Sequence, residues 1–232
     1  LDIGELDHQT ALACSMELKA LQAQINPHFL FNTINTIASL IRTDPPQARE
    51  LLREFASFYR RTLEMDDDLI TLEQELEYVR SYFLFERARF GERVQLSVAA
   101  DAAHLNLLVP AFILQPLVEN AVQHGMTAEA PLHVALTTSV DRDLALLSVT
   151  DDGAGMSEED LERILEPGFG RGNGIALKNV HDRLRGHFGP GSGISASSRL
   201  GQGTTVTCVI VRPREDQDQR TITPTLAGLP VG

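Results

Sequence analysis

The sequence predicts an α+β protein in two parts: an N-terminal helical hairpin extended by a third helix to about residue 90, then a region where strands and helices mix. Three observations predict this. Glycine is almost absent before Gly91 and frequent after it. Apolar residues recur at helical spacing in the first part. From residue 93 onward, short segments alternate apolar and polar residues, the period of a half-buried strand.

The helical signals run in order. Residues 16–42 carry a long periodic pattern in which Leu30, Ile34, Ile37 and Ile41 share one face. Thr43-Asp44-Pro45-Pro46 then breaks the chain. Asp44 suits an N-cap, Pro45 the first helical position, and Gln47 the third position of a capping box. The second helix places Leu51, Phe55, Phe58 and Thr62 on one stripe, and so short a turn predicts an antiparallel hairpin. Asp66-Asp67-Asp68 reads as a solvated break. Thr71, with Gln74 three residues on, caps a third helix whose apolar face holds Leu72, Leu76, Val79, Phe83 and Phe90.

The mixed part begins at Gly91. Val94, Leu96 and Val98 mark a strand over 93–99. Residues 110–124 read as a helix that Pro116 starts or kinks. Residues 132–140 and 144–150 read as strands joined by an Asp141-Arg142-Asp143 turn. A glycine-rich stretch precedes a helix near 174–187, and two more strands follow at about 193–198 and 204–211. The expected organisation is a helical region over 1–90, a second domain over 91–212, and a disordered, proline-containing tail over 213–232.

Composition narrows the function. The 232 residues carry a net charge of −12 and are 43% hydrophobic. A core can form, and the acidic balance argues against direct nucleic-acid binding, which needs a basic face. Cys14 and Cys208 form neither a disulfide framework nor a metal motif. No apolar run approaches the roughly 18 residues that span a bilayer. The chain begins at Leu1, so a sensor or membrane segment is expected upstream in a longer protein, with this portion in the cytoplasm.

Four short blocks stand in order in the second part: Leu117-Val-Glu119-Asn120-Ala, Asp151-Asp-Gly153-Ala-Gly155-Met, Gly172-Asn-Gly174-Ile175-Ala176-Leu177, and Gly201-Gln-Gly203-Thr204-Thr205. Singly, each reads as a cap, a turn or a helix start. Together they resemble the N, G1, G2 and GT boxes of the GHKL ATPase superfamily, over residues 91–212. The resemblance implies an α/β sandwich with a mixed sheet, and an ATP site using Mg²⁺. It assigns Asp151 to the adenine amino group, with Gly153 and Gly155 giving the base room. Gly172 and Gly174 would leave amides free at the positive end of a helix for the phosphates. Asn120 offers an amide oxygen to Mg²⁺. Residues 156–171 would form a mobile lid. Two positions depart from the pattern: Asp152 stands where asparagine is commoner, and Ala176 where glycine is frequent.

The first part carries Gln24-Ile-Asn26-Pro27-His28-Phe-Leu-Phe-Asn32. With Gln115-Pro-Leu-Val-Glu-Asn120-Ala and Lys178-Asn179-Val-His-Asp-Arg183-Leu, it resembles the LytS-type sensor histidine kinases over residues 18–212. The resemblance implies ATP-dependent phosphorylation of His28, transfer to an aspartate of a response regulator, and a homodimer through the hairpin as a four-helix bundle. The residues also make sense alone. His28, Asn32, Asn35 and Ser39 form a polar stripe about 160° from the Leu30–Ile41 stripe at roughly 100° per residue. Pro27 should kink the helix beside His28, and an imidazole with one unprotonated nitrogen is a competent nucleophile.

Other assignments stay open. Glu119 is a candidate base and Asn32 a candidate helper of dephosphorylation. His124 could lie near the phosphates or end a helix, and Arg183 could reach a phosphate or pair with an acid. A gyrase-type ATPase is a rival, but the place of its water-activating glutamate, four residues before Asn120, is Pro116. A non-catalytic, nucleotide-gated binding module is the other.

Overall fold

In the computed structural model, residues 27–65, 68–128, 130–141, 143–166 and 173–212 are described. The predicted tail and the periodic segment before Pro27 lie outside them, and with that segment the expected kink.

Helix α1 (Pro27–Thr43) is followed directly by α2 (Pro45–Leu63). Asp44 caps α2 by accepting the Gln47 amide at 3.1 Å. The Asp44 amide itself donates to the Leu40 carbonyl at 2.7 Å, so one residue ends α1 and starts α2. Phe29, early in α1, packs edge-on against Phe58, late in α2, as in an antiparallel hairpin. The buried face of α1 is Phe29, Thr33 and Ile37. This corrects the predicted apolar stripe: of its members only Ile37 is buried, while Ile34 is 47% and Ile41 59% exposed. The aromatic surface of the hairpin partners selects the Phe29 face and leaves most of the aliphatic stripe outward.

Strand β1 (Leu69–Thr71) leads into α3 (Leu72–Phe90), whose start carries the predicted capping box between Thr71 and Gln74. Helix α3 is buried on several sides at once. Tyr82 and Phe85 pack on Phe29, and Tyr78 and Phe85 on Phe58, giving the three helices one aromatic core. Gly91 ends the helix at φ 63°, a conformation glycine adopts freely.

The second part contains β2 (Val94–Ala99), β3 (Leu108–Pro110), α4 (Gln115–Gly125), β4 (Leu132–Asp141), β5 (Leu144–Asp151), α5 (Glu158–Glu162), α6 (Asn173–Phe188), β6 (Gly193–Arg199) and β7 (Gly203–Val211). Pro116 starts α4, and the stretch 110–114 predicted as helix is instead the end of β3 and a turn. The five-stranded sheet has the order β2-β4-β5-β7-β6. Its β2–β4 pair is parallel and the rest antiparallel, as expected of a mixed sheet. Helices α4 and α6 pack on one face of it. Leu117, Val118, Leu177, Val180 and Leu184 there meet Leu136, Leu147, Val149, Cys208 and Ile210. The other face carries Ser148–Thr207 and Thr150–Thr205 hydroxyl pairs. The short β1–β3 pair, antiparallel and absent from the sequence reading, ties the start of α3 to the chain entering α4.

Candidate nucleotide site and phosphoacceptor helix

A cavity of about 420 Å³ opens between α4, the end of β5, the start of β7 and the loop after β5. That volume suits a nucleotide-sized ligand. Asn120 and His124 line it from α4, Asp151 from β5, Gly155 and Met156 from the loop, Leu177 from α6 and Thr204 from β7. The wall is mixed: Leu117, Val149, Ile164 and Val206 supply apolar surface.

Asp151 is 6% exposed, and its Oδ1 accepts the Gly153 amide at 3.0 Å. Burial raises its pKa; the Gly153 and Thr204 amides pull it down and the Asp152 charge pushes it further up. A buried carboxylate beside the apolar side chains of Leu117, Val149 and Val206 is an acceptor suited to an amino group on a flat, apolar ring. The Mg²⁺ ligand expected from sequence, Asn120, faces the same space. Burial also lowers the pKa of His124, which favours its neutral form.

The glycines after Asp151 have a more specific reason than room for a base. A Cβ on Gly153 would lie 2.3 Å from the backbone of Gly125, at the end of α4. One on Gly155, at φ 66°, would meet the Arg199 carbonyl oxygen at 2.0 Å. These close approaches let Ala154 donate to the Gly125 carbonyl and Gly201 to the Ala154 carbonyl, which hold the loop against α4 and the β6–β7 turn. Asp152 does not face the cavity role of its neighbour: its Oδ1 accepts the His133 amide at 2.7 Å. Ser157 caps α5, and Asp160 and Ile164 close one side of the cavity.

Other predicted site residues fall elsewhere. Thr205 is corrected: strand alternation puts it on the opposite sheet face, paired with Thr150, while Thr204 and Val206 face the cavity. Gly203, at φ 87°, presses on the Asp151 carbonyl and serves the strand junction. Gly153, Ala176, Arg183 and Glu119 are not on the cavity wall. Glu119 accepts from Gln115 at 2.9 Å. Its charge raises the pKa values of Tyr59, to about 12, after burial as the larger cause, and of Tyr82, after burial and the charge of Glu86. It therefore faces α2 and α3. Gly172 and the side chain of Ile175 lie outside the described residues, as do residues 167–171 of the expected lid; Gly174 lies in the first turn of α6. Asp160 and Ile164, on the wall, had no signal in the sequence blocks because they come from the segment between two of them.

His28 is exposed on the first turn of α1, and Asn32, one turn on, places Nδ2 3.1 Å from its Nδ1 and 3.4 Å from its Nε2. Residues 16–94 match the family description "Histidine kinase", and residues 110–215 match "Histidine kinase-, DNA gyrase B-, and HSP90-like ATPase". The chain is 39% identical over 223 residues to the sensor protein LytS of Bacillus cereus, a match covering 94% of this chain. It is 36% identical over 224 residues to the sensor histidine kinase/phosphatase LytS of Staphylococcus aureus, again covering 94% of this chain. The chain belongs to the LytS-type sensor histidine kinase family. It spans 38% of the length of those two relatives. The histidine kinase domain of the blue-light activated histidine kinase EL346 of Erythrobacter litoralis shares the fold, with a TM-score of 0.50 and 24% identity over 83% of this chain and 92% of that one. The catalytic domain of the histidine kinase ThkA also shares the fold, with a TM-score of 0.50 and 22% identity over 64% of this chain and 97% of that one. The family's two halves thus correspond to the histidine-bearing hairpin and the cavity-bearing sandwich. Among the described residues, no helix is long and apolar enough to cross a membrane.

Proposed function

We propose that the chain binds ATP in the cavity and phosphorylates itself on His28, and that the phosphoryl group then passes to an aspartate of a response regulator. The observation that carries this is the buried Asp151 carboxylate on the same cavity wall as Asn120, in a chain that also displays His28 on an exposed helix. Asp151 accepts the adenine amino proton, and Leu117, Val149 and Val206 flank the ring. Asn120, with His124 one turn on, faces the phosphates, which the amino end of α6 also favours. Mg²⁺, held by Asn120 and phosphate oxygens, would supply charge neutralisation of the phosphates.

The unprotonated ring nitrogen of His28 attacks the γ-phosphorus. The bond to the β,γ-bridging oxygen breaks and ADP leaves with its electron pair. The proton on the other ring nitrogen goes to a base, a role assigned here to Glu119. Asn32 orients the imidazole through its amide. Positioning carries most of such catalysis. Exposed Phe31, Ile34 and Ile41 on α1, with Leu52 and Leu63 on α2, are the surface through which the hairpin pairs with a second copy. A signal-receiving segment outside this chain, membrane-anchored and leaving this portion cytoplasmic, completes the reading.

The test is incubation of the purified chain with γ-labelled ATP and Mg²⁺, alongside His28→Gln and Asn120→Ala. Acid-labile, alkali-stable label that is lost in both variants is expected. Label retained by His28→Gln would refute the assignment of the acceptor.

A further inference from the structure

We infer that Glu75 is a positioning residue for the metal end of the nucleotide site, acting by capping α4 from a different helix. The inference rests on the proposed role of Asn120.

Glu75 lies in the first turn of α3 and is fully buried. Its Oε2 accepts the Phe112 amide at 2.8 Å and its Oε1 the Leu114 amide at 2.7 Å. The amides of Ile113 and Gln115 also favour its ionised form, against the larger effect of burial, which raises its pKa. Helix α4 has no side-chain cap of its own, because Leu114 stands at the N-cap position. An anion is what the four unpaired amides and the positive end of a helix require. Glu75 supplies it across the tertiary structure.

The turn it grips is unusual. Phe112, at φ 56°, is the one non-glycine residue with positive φ among the described residues. A positive φ between residues of negative φ turns successive amides toward one point, the geometry of an anion nest. The carboxylate occupies that nest, and Tyr78, one turn further along α3, packs edge-on against the Phe112 ring at 5.0 Å. Helix α3 therefore holds both the backbone and the side chain of the turn. Two turns beyond Glu75, Tyr82 packs against Phe29, the neighbour of His28, at 5.1 Å. One helix thus contacts both the chain that starts the Asn120 helix and the residue beside His28.

Gln at position 75 keeps the size of the side chain. Its oxygen can accept one amide, but its NH₂ must then face the other amide, donor to donor. The start of α4 would shift, and Asn120 with it. Supporting residues of this kind typically change metal affinity by about 10–100-fold.

The test is calorimetric titration of the purified chain with ADP, in EDTA and in Mg²⁺. For Glu75→Gln the expected result is a loss of about 10–100-fold in the tightening that Mg²⁺ produces, over and above any smaller loss of ADP affinity in EDTA that the movement of Leu117 causes. Thr71→Ala, which weakens the start of α3 without touching the nest, should leave that tightening unchanged. An equal loss with and without Mg²⁺, no loss at all, or the same loss in Thr71→Ala would overturn the inference. If Glu75→Gln does not fold, Glu75→Gln/Phe112→Gly, in which glycine relieves the turn, is compared with Phe112→Gly under the same criteria. Asn120→Ala is run in parallel. If it retains the Mg²⁺ effect, the assignment of Asn120 fails, which is a separate outcome from failure of the Glu75 clamp.

Discussion

Gly153→Ala probes how tightly the loop after Asp151 is built against α4. The added Cβ would sit 2.3 Å from both the Cα and the oxygen of Gly125, and 2.6 Å from its carbonyl carbon, whereas ordinary contact begins at 3.4 Å. All three atoms are backbone, so no side-chain rotation relieves the clash. The loop and α4 must part by about 1 Å, and overpacking of that kind costs roughly 1–3 kcal/mol. The 3.2 Å bond from the Ala154 amide to the Gly125 carbonyl would lengthen with that movement. For a protein of this size, each kcal/mol lowers the melting temperature by about 2–4 °C, so a fall of roughly 2–12 °C is expected. Nucleotide affinity should fall about tenfold for each 1.4 kcal/mol of strain felt at the cavity. Gly186→Ala is the counter-case: it lies in α6 with no heavy atom within 4 Å of an added Cβ. It should stabilise by about 0.4–1 kcal/mol, through the unfolded chain. Circular-dichroism melting and calorimetric ADP titration measure both. If Gly153→Ala melts with the wild type and binds ADP equally well, the glycine-on-glycine contact is not what shapes this site.

Three further outcomes are expected. Asp151 carries a raised pKa chiefly from burial, so its ionisation opposes folding: its contribution is fully present below its ordinary unfolded pKa and is lost as pH rises from there through its folded pKa, the reverse of an ion-paired carboxylate. Asp151→Asn should remove that acid-range slope from pH-dependent melting and weaken ADP binding roughly 10–100-fold, the worth of a hydrogen bond to a charged group; unchanged ADP affinity would remove Asp151 from adenine recognition. Ile34→Glu/Ile41→Glu places charges on the exposed stripe of α1 and should give monomers in sedimentation with ADP binding intact, whereas a persistent dimer would move the interface elsewhere. Thr71→Ala removes the hydroxyl that accepts the Gln74 amide at 3.2 Å in the cap of α3, and should cost about 1 kcal/mol in urea unfolding; no loss would mean that the backbone bonds of Leu72 and Glu73 to Leu107 and Leu105 already hold that end.

Much of this protein is legible locally. The caps at Asp44 and Thr71 depend on residues three apart, so their spacing announces the helix starts before any tertiary contact forms. Strands β4 and β5 follow from alternation and an adjacent turn. The order of the glycine-rich blocks announces a nucleotide site because each block bends its own backbone. His28 and Asn32 share a face by helical periodicity alone.

What the sequence could not determine is which of several equally apolar faces meets which neighbour. Leu30, Ile34, Ile37 and Ile41 look like a core stripe, yet the aromatic rings of α2 and α3 select Phe29, Thr33 and Ile37 and leave Ile34 and Ile41 outside. Gly153 reads as freedom for a ligand until Gly125, 28 positions earlier, is brought against it. Glu119 and Asn120 are neighbours in the chain, but the pitch of α4 turns one toward the hairpin and the other toward the cavity. Glu75 reads as one more acid on a helix, because burial of a carboxylate becomes tolerable only where backbone amides from a distant turn surround it. Sequence determined the elements and the chemistry they carry; the tertiary structure decided the partners, since burial and charge compensation depend on segments that only the fold brings together.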